Sequence, residues 1–494
     1  MHMLSCIKEF LFRTKKQKIV SIIVTACYFL LHLYVVLNHE CWRDESQAWL
    51  IAKNLSYIDI FKELCVEGHP CLWFMIIAPF AKLGLSFYYF NFISLALCTM
   101  AVYLLMEKGP FCIFTKMAIV SSSMFLYFNP VVCRIYSLIV ILVVFILMIY
   151  EDRLIHPILY ILLVSLLMQT HIMIYGLAFG LAIEYCFSFY NTNNTKKLKA
   201  FVFVLPILST LLLFFELTPR VDYPAYTDVS INTIIQNINF GRIIHKLENL
   251  GYVSWGWNNN LSVFVPLGIF TFLGIIQILL IRKSSSIKKY ISELTISFFG
   301  INYYLSLYIF VYSSHSQLAS VLMIIVVAST WIICSKEDKI SKIPTTLFII
   351  IASMLTFIPA QSILRSDISG NYSNSKNVAA YIEKNIENNS IIALEDGEGY
   401  NTPIIAYVTS KRNDIKFYSL TLDKYYTYNS WIYLNNYKPF KIEEIIDKSL
   451  KINNNGNIYY LSNDKKKEKT NFSLVFESYG SFTNEDYYLY KITY

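Results

Sequence analysis

Residues 15–45 read KKQKIVSIIVTACYFLLHLYVVLNHECWRDE. Lysines open the stretch, and from Ile19 to Leu37 no acid, lysine or arginine interrupts an apolar run. That run is close to the ~20 residues a membrane-spanning helix needs. Lys8, Arg13, Lys15, Lys16 and Lys18 precede it, which puts the N-terminal segment 1–18 in the cytoplasm by the positive-inside bias. The layout resembles a secretory signal. The apolar run is too long for a signal core, however, and no small-residue cleavage site follows, so it reads as a retained anchor. Directly beyond it stands a dense polar cluster, His39-Glu40-Cys41-Trp42-Arg43-Asp44-Glu45.

The rest of the chain repeats the anchor's character. Of 494 residues, 55% are hydrophobic and only 15% charged, against ~25% charged in a soluble chain. An ordinary soluble enzyme is excluded. Apolar runs continue at 88–106, 111–129, 131–150, 157–170, 172–189, 199–217, 261–281, 291–312, 316–334 and 343–360. Alternation from a cytoplasmic start places Lys108 and Lys116, Arg153, Lys196, Lys197 and Lys199, Arg282, Lys283, Lys288 and Lys289, and Lys336, Lys339 and Lys342 in inside connections. The short outside connections Asn129-Pro130, Thr170-His171 and Tyr312 to His315 contain no Lys or Arg. The net charge of +8 therefore reads as orientation signal, not as a nucleic-acid surface.

Residues from Cys71 to Leu85 are apolar but short, and Pro79 and Lys82 interrupt them. Counted as a span they would break the charge pattern, so they read as a re-entrant or interfacial helix. The expected fold is a polytopic α-helical membrane protein of about eleven spans over residues 19–360, with twelve or thirteen left open. Its first outer loop covers 38–70 and a long outer loop 218–260. From residue 361 to 494 Asn, Lys, Asp, Glu and Tyr dominate. Strand-like stretches Ser390 to Leu394, Ile415 to Tyr418, Ile458 to Leu461, Ser473 to Phe476 and Tyr487 to Ile492 alternate there with helical spacing at Lys376 to Ile386 and Ile442 to Leu450. This predicts a soluble α/β domain on the outer side.

Ten cysteines without a CxxC pair give no zinc or thioredoxin pattern. Cys41, Cys65 and Cys71 share one polar loop, and a disulfide among them is left open. His39, His69, His171, His245 and His315 all map to the expected outer face, while the middles of the spans are nearly free of ionisable groups. Ion-coupled transporters place such groups near the midplane, so the distribution favours a reaction site at the outer surface. In the first loop Asp44 with Gln47 three residues on fits a capping box. The plain reading of Asp44 is thus a helix cap, of His69 a polar residue ahead of Pro70, and of Arg134 a side chain snorkelling to the interface. Trp42 and Trp49 read as interfacial anchors.

The order of these elements resembles the GT-C glycosyltransferases, and within them the branch of protein O-mannosyltransferases and lipid A aminoarabinose transferases. The resemblance rests on Trp42-Arg43-Asp44-Glu45 after one span, then Gly68-His69-Pro70-Cys71-Leu72-Trp73. It extends to Phe125-Leu126-Tyr127-Phe128-Asn129-Pro130 with Arg134-Ile135-Tyr136-Ser137-Leu138, and to Thr170-His171. It covers residues 19–190 at motif level and the remainder only in layout. The chain departs from the branch's His-Pro-Pro element, since Cys71 replaces the second proline.

The resemblance implies an inverting transferase that moves a sugar from a polyprenyl-phosphate donor to an acceptor hydroxyl on a lipid, glycan or protein at the outer face. It implies Asp44 as general base, and His69, Arg134 and Tyr136 at the donor phosphate. Glu45, His171 and His315 are candidates for substrate or a divalent metal, although no ligand spacing demands a metal. Two other classes compete: a transporter or flippase of lipid-linked saccharide, and an anchor that displays the C-terminal domain.

Overall fold

The computed structural model describes residues 15–63, 67, 69–218, 238–255, 291–311, 316–336, 342–369, 372–395, 397, 399–429, 439–452, 457–480 and 485–493. The expected span 261–281, most of the long outer loop, Cys65, Gly68 and His315 lie outside these residues. In chain order the described helices are α1 (Lys15–Asn38), α2 (Arg43–Asn54), α3 (Tyr57–Glu63), α4 (Leu72–Lys82), α5 (Phe92–Lys108), α6 (Ile113–Val120), α7 (Phe128–Val131), α8 (Tyr136–Ile149), α9 (Pro157–Met168) and α10 (Tyr175–Tyr190). They continue with α11 (Lys196–Leu217), α12 (Phe240–Trp255), α13 (Ile291–Ser306), α14 (Ser316–Lys336), α15 (Lys342–Ser369), α16 (Ser375–Asn385), α17 (Thr402–Val408) and α18 (Ile442–Ile452).

Among the described residues, five helical stretches are long and apolar enough to cross a membrane: Gln17–Asn38, Phe87–Lys108, Ile172–Tyr190, Lys196–Leu217 and Ile343–Ser369. Their outward faces are apolar. Ile22, Leu30 and Leu37 on α1, Ile207, Leu211 and Phe214 on α11, and Leu347, Ile351 and Ile358 on α15 are all exposed. Patches of that size on a water-soluble protein would be a liability; here they mark the surface turned to lipid. The protein is membrane-embedded.

The expected span 111–129 is not a continuous helix. It stops at Val120, before Ser121-Ser122-Ser123, and the chain runs irregularly to α7. Consecutive serines compete with the helix for backbone hydrogen bonds, and Ser122 Oγ donates to the Ile119 carbonyl at 2.6 Å. Irregular backbone survives at membrane depth only where protein satisfies its polar groups. Tyr28 Oη donates to the Phe125 carbonyl (2.9 Å), His32 Nε2 lies 2.9 Å from the Leu126 carbonyl, and Asn129 Nδ2 donates to the Met124 carbonyl (2.7 Å). Two of these three partners come from α1. The expected spans 131–150 and 157–170 form the 14-residue α8 and the 12-residue α9, about 21 and 18 Å at 1.5 Å per residue. At 11 residues α4 is also short of the ~30 Å hydrocarbon thickness.

Glycines set the tightest helix contact. A Cβ on Gly176 of α10 would stand 2.4 Å from Tyr303 Cβ and 2.7 Å from the Phe299 carbonyl of α13. One on Gly180 would stand 3.1 Å from Phe299 Cβ. This small-x-x-x-small stripe lets the two backbones approach, the usual source of helix association in lipid.

Beyond α15 the polar part of the chain forms a six-stranded sheet in the order β3-β2-β1-β4-β6-β5. The strands are β1 (Ile391–Leu394), β2 (Lys416–Ser419), β3 (Lys424–Tyr425), β4 (Ile458–Ser462), β5 (Phe472–Ser478) and β6 (Tyr487–Ile492). Strand β1 runs parallel to both β2 and β4, and the outer pairings are antiparallel. All five expected strands and both expected helices are present within two residues of their expected ends. The expected boundary at residue 361 falls inside α15, which continues to Ser369.

The domain is clamped onto the first loop. Helix α17 packs on α2: Ser46 Oγ and Thr402 Oγ1 are 2.8 Å apart, and Tyr407 Oη accepts from the Cys41 amide (2.9 Å). Near the start of α5, Ser410 Oγ accepts from the Phe87 amide (3.1 Å) and Tyr88 Oη donates to Glu383 (2.9 Å).

The α10–α13 contact makes a direct prediction. Gly176→Ala must push the helices apart or distort Tyr303, an overpacking cost of about 1–3 kcal/mol. Thermal unfolding in detergent micelles should record a lower midpoint; an unchanged midpoint would mean that this approach does not limit stability.

Candidate functional site

The site begins where α1 ends. His39 to Trp42 carry the chain out of α1, and α2 starts at Arg43. The expected capping box of Asp44 and Gln47 does not form. Trp42, with extended backbone, is the N-cap residue, and Glu45 reaches back so that its Oε2 accepts from the Trp42 amide (3.2 Å). Glu45 stands three residues past the cap, which is the spacing that allows this return. Gln47 instead pairs with backbone: its Nε2 donates to the Asn429 carbonyl (2.7 Å) and its Oε1 accepts from the Asn429 amide (2.9 Å). It also donates to Glu67 (2.8 Å). Asp44, on the first turn, is thereby released from capping, and 24% of its side chain is exposed.

Four segments far apart in sequence meet at Asp44. Arg134 Nη1 donates to Asp44 Oδ2 (2.5 Å) and Arg134 Nη2 to His69 Nε2 (2.9 Å). Arg43 Nε stands 3.4 Å from Asp44 Oδ1. The His69 and His171 rings are 5.0 Å apart, and Tyr136 lies 5.5 Å from His171 and 5.8 Å from the Arg134 guanidinium. The structure therefore brings together Asp44, His69, Arg134, Tyr136 and His171. Arg134 is placed by the irregular segment before α8, which is tied to α2 through the Cys133 amide donating to Glu45 Oε1 (2.7 Å).

Electrostatics fix the protonation of the two histidines. Burial, with Arg134 beside it, lowers His69 from 6.5 to about 3. Because Nε2 of this neutral ring accepts from Arg134, the proton sits on Nδ1, a buried donor with no hydrogen-bond partner among the described residues. Burial, then His69 and Arg134, also hold His171 well below its ordinary value. Its Nδ1 accepts from the Met173 amide (3.1 Å), which leaves Nε2–H as a donor. The site therefore combines one half-buried carboxylate, two guanidiniums and two neutral imidazoles that each keep an N–H to give.

Glu45 stands apart from this group. It is fully buried and takes hydrogen bonds from His39 Nε2 (3.2 Å), Asn91 Nδ2 (2.7 Å) and the Cys133 amide in addition to the Trp42 amide. Its oxygens are occupied, so it is not placed to take substrate. His315 lies outside the described residues. His245, expected in the long outer loop as a residue that could cover the site or bind acceptor, is exposed on α12. Cys41 and Cys71 are free thiols.

The group among the described residues with metal-ligand proximity is His39, Cys41 and Glu45, whose donor atoms lie within 4.8 Å of one another. Those atoms are already used. His39 Nδ1 bonds Asp367 Oδ2 (2.8 Å), its Nε2 bonds Glu45, and Cys41 Sγ donates to Asn91 Oδ1 (2.8 Å). Nothing in their arrangement calls for an ion.

Several participants escaped the sequence reading. Arg43 adjoins Asp44 in the quoted cluster and was visible, but only as part of a motif. Glu216, at the end of α11, is 1% exposed, and among the described residues neither of its oxygens has a hydrogen-bond partner within bonding geometry. A lone acid ending an apolar run is itself a signal of function. Its polar neighbour is Cys71, two residues beyond His69. Asp367 and Glu485 carried no local signal.

The clamp on His39 has a measurable consequence. Burial alone would lower this imidazole, but Asp367 and Glu45 override it and lift it from 6.5 to about 10. A raised value means the folded state holds the proton more tightly. That stabilisation is fully present below pH 6.5 and is lost as pH climbs toward about 10. Thermal midpoints should fall across this window, and His39→Gln should be less stable at pH 6 with a flatter decline. Parallel pH profiles for the two proteins would show that His39 does not titrate there. In comparisons with known proteins, no family pattern and no curated protein sequence matches this chain.

Proposed function

We propose that the protein is an integral-membrane glycosyltransferase that uses a polyprenyl-phosphate sugar donor. The observation carrying this reading is the convergence of Asp44, Arg134 and His69 from three separate segments, with Tyr136 and His171 around them. A carboxylate that can take a proton stands within one guanidinium's width of donors suited to a phosphate. The reading includes the eleven-span topology, a cytoplasmic N-terminus in a cell or inner membrane, and a C-terminal domain on the outer side, where the scarcity of Lys and Arg in the short connections puts it.

The chemistry follows from these groups. Asp44 takes the proton of an acceptor hydroxyl as its oxygen attacks the anomeric carbon. The bond from that carbon to the phosphate oxygen breaks, and its electron pair leaves with the lipid phosphate. Attack from the side opposite the leaving group inverts the anomeric centre, by analogy with inverting glycosidases. Arg134, released from Asp44 as substrates enter, meets the charge building on the phosphate, and the N–H groups of His69 and His171 add donors that need no proton uptake. The acceptor is a lipid, glycan or protein hydroxyl of the cell envelope.

Purified protein given a polyprenyl-phosphate sugar should release polyprenyl phosphate. Asp44→Asn should lower turnover by on the order of 10²–10⁴ while folding is retained, the usual contribution of a general base. Full turnover by the variant would remove Asp44 from that role. Arg134→Lys should lose most of the activity, because a lysine cannot hold Asp44 and His69 with one planar fork. A wild-type protein that moves the lipid-linked sugar across a bilayer without cleaving it would be a transporter instead.

A further inference from the structure

The C-terminal domain meets the site at Arg43. The guanidinium of Arg43 lies over the Tyr400 ring, 4.9 Å from its centroid. The Arg43 carbonyl accepts from Thr402 Oγ1 (3.2 Å) and from Ser46 Oγ (2.9 Å). Glu485, just ahead of β6, stands close to Arg43 at the first turn of α2, near enough for the two to interact electrostatically. Tyr487 Oη secures this corner: it lies 2.9 Å from the Tyr400 carbonyl and 3.1 Å from Glu485 Oε2. Glu485 is 1% exposed, and among the described residues its Oε1 has no hydrogen-bond partner.

A buried acid with an unused oxygen is costly to keep at an interface. Replacing it by an apolar residue would serve packing alone at least as well. Its position suggests another use. Asp44 is flanked by two guanidiniums, Arg134 at 2.5 Å and Arg43 at 3.4 Å. One carboxylate between two fixed cations leaves a net positive charge, which suits a departing phosphate. Arg134 is bound to His69, and among the described residues the C-terminal domain meets Arg43 through Tyr400 and Thr402, with Glu485 close by.

We propose that the C-terminal domain completes the site: Glu485, with Tyr400, holds Arg43 beside Asp44, so that Glu485 is a positioning residue and Arg43 a second cation for the donor phosphate. The inference rests on the transferase reading. Burial pushes the Glu485 carboxyl up to about 8, so at neutral pH it is mostly the uncharged acid, and glutamine is its close mimic.

The test is a double-mutant cycle in the full chain, with release of polyprenyl phosphate as the readout. Glu485→Ala should lower kcat/KM about tenfold or more, Glu485→Gln should recover to within about threefold, and Glu485→Ala with Arg43→Ala should lose no more than Arg43→Ala alone, since coupled residues are not additive. Additive losses, or an alanine variant with full activity, would overturn the proposal while leaving the transferase reading in place. If the wild type releases nothing, the transferase reading fails. Hydrogen exchange at the amides of residues 43–50 then decides the positioning claim by itself: Glu485→Ala should speed it and Glu485→Gln should not. Unchanged exchange in the alanine variant would sink the proposal whatever the activity.

Discussion

A single buried carboxylate, that of Glu45, holds the architecture around the site. It gathers the Trp42 amide, the amide side chain of Asn91 at the start of α5, the Cys133 amide ahead of α8, and the ring of His39. His39 passes the connection on to Asp367 near the end of α15, where Tyr127 Oη also donates (3.0 Å). Four helices and one irregular segment are thereby referred to one point. Buried charge is favourable only when such partners are complete, and removing any one of them would strand the others away from water. Asp44 and Arg134 are each one residue from members of this network, Glu45 and Cys133. Their meeting is set by groups that lie outside the cluster around Asp44.

Much of this was legible in the chain. The apolar runs and the basic clusters identify a membrane protein, and the alternating stretches after α15 locate every strand but the two-residue β3. His69, Arg134 and Asp44 stand out through the resemblance of the motifs that hold them; on spacing alone they read equally well as a polar residue ahead of Pro70, a snorkelling side chain and a helix cap. What could not be read is how backbone is satisfied. The stretch 111–129 is apolar enough to be a span, yet Tyr28 and His32, 97 and 94 residues earlier, supply the hydrogen bonds that allow it to break. Hydropathy counts side chains and is blind to carbonyls.

The cap of α2 illustrates the same limit at short range. Asp44 and Glu45 are both acids in a first turn, and sequence spacing favoured Asp44. The choice was made by Asn91 and Cys133, which draw Glu45 inward and leave Asp44 to Arg134. Which neighbouring carboxylate becomes structure and which becomes surface was decided by residues dozens of positions away. Glu485 is the extreme case, since nothing near it in sequence distinguishes it from the other acids of a polar domain.

The clamp between α2 and the sheet domain joins residues separated by most of the chain. Cys41 meets Tyr407 across 366 positions, and Gln47 meets Asn429 across 382. Contacts of such separation form late, because the intervening loop must be closed first. During synthesis the first loop emerges well before the sheet domain, and it waits, half assembled beside the bilayer, for partners that follow it. A truncated or stalled chain would thus carry Asp44 and Arg134 without the domain that braces them. Arrival of the sheet domain, more than insertion of the helices, is the step that would make the site whole.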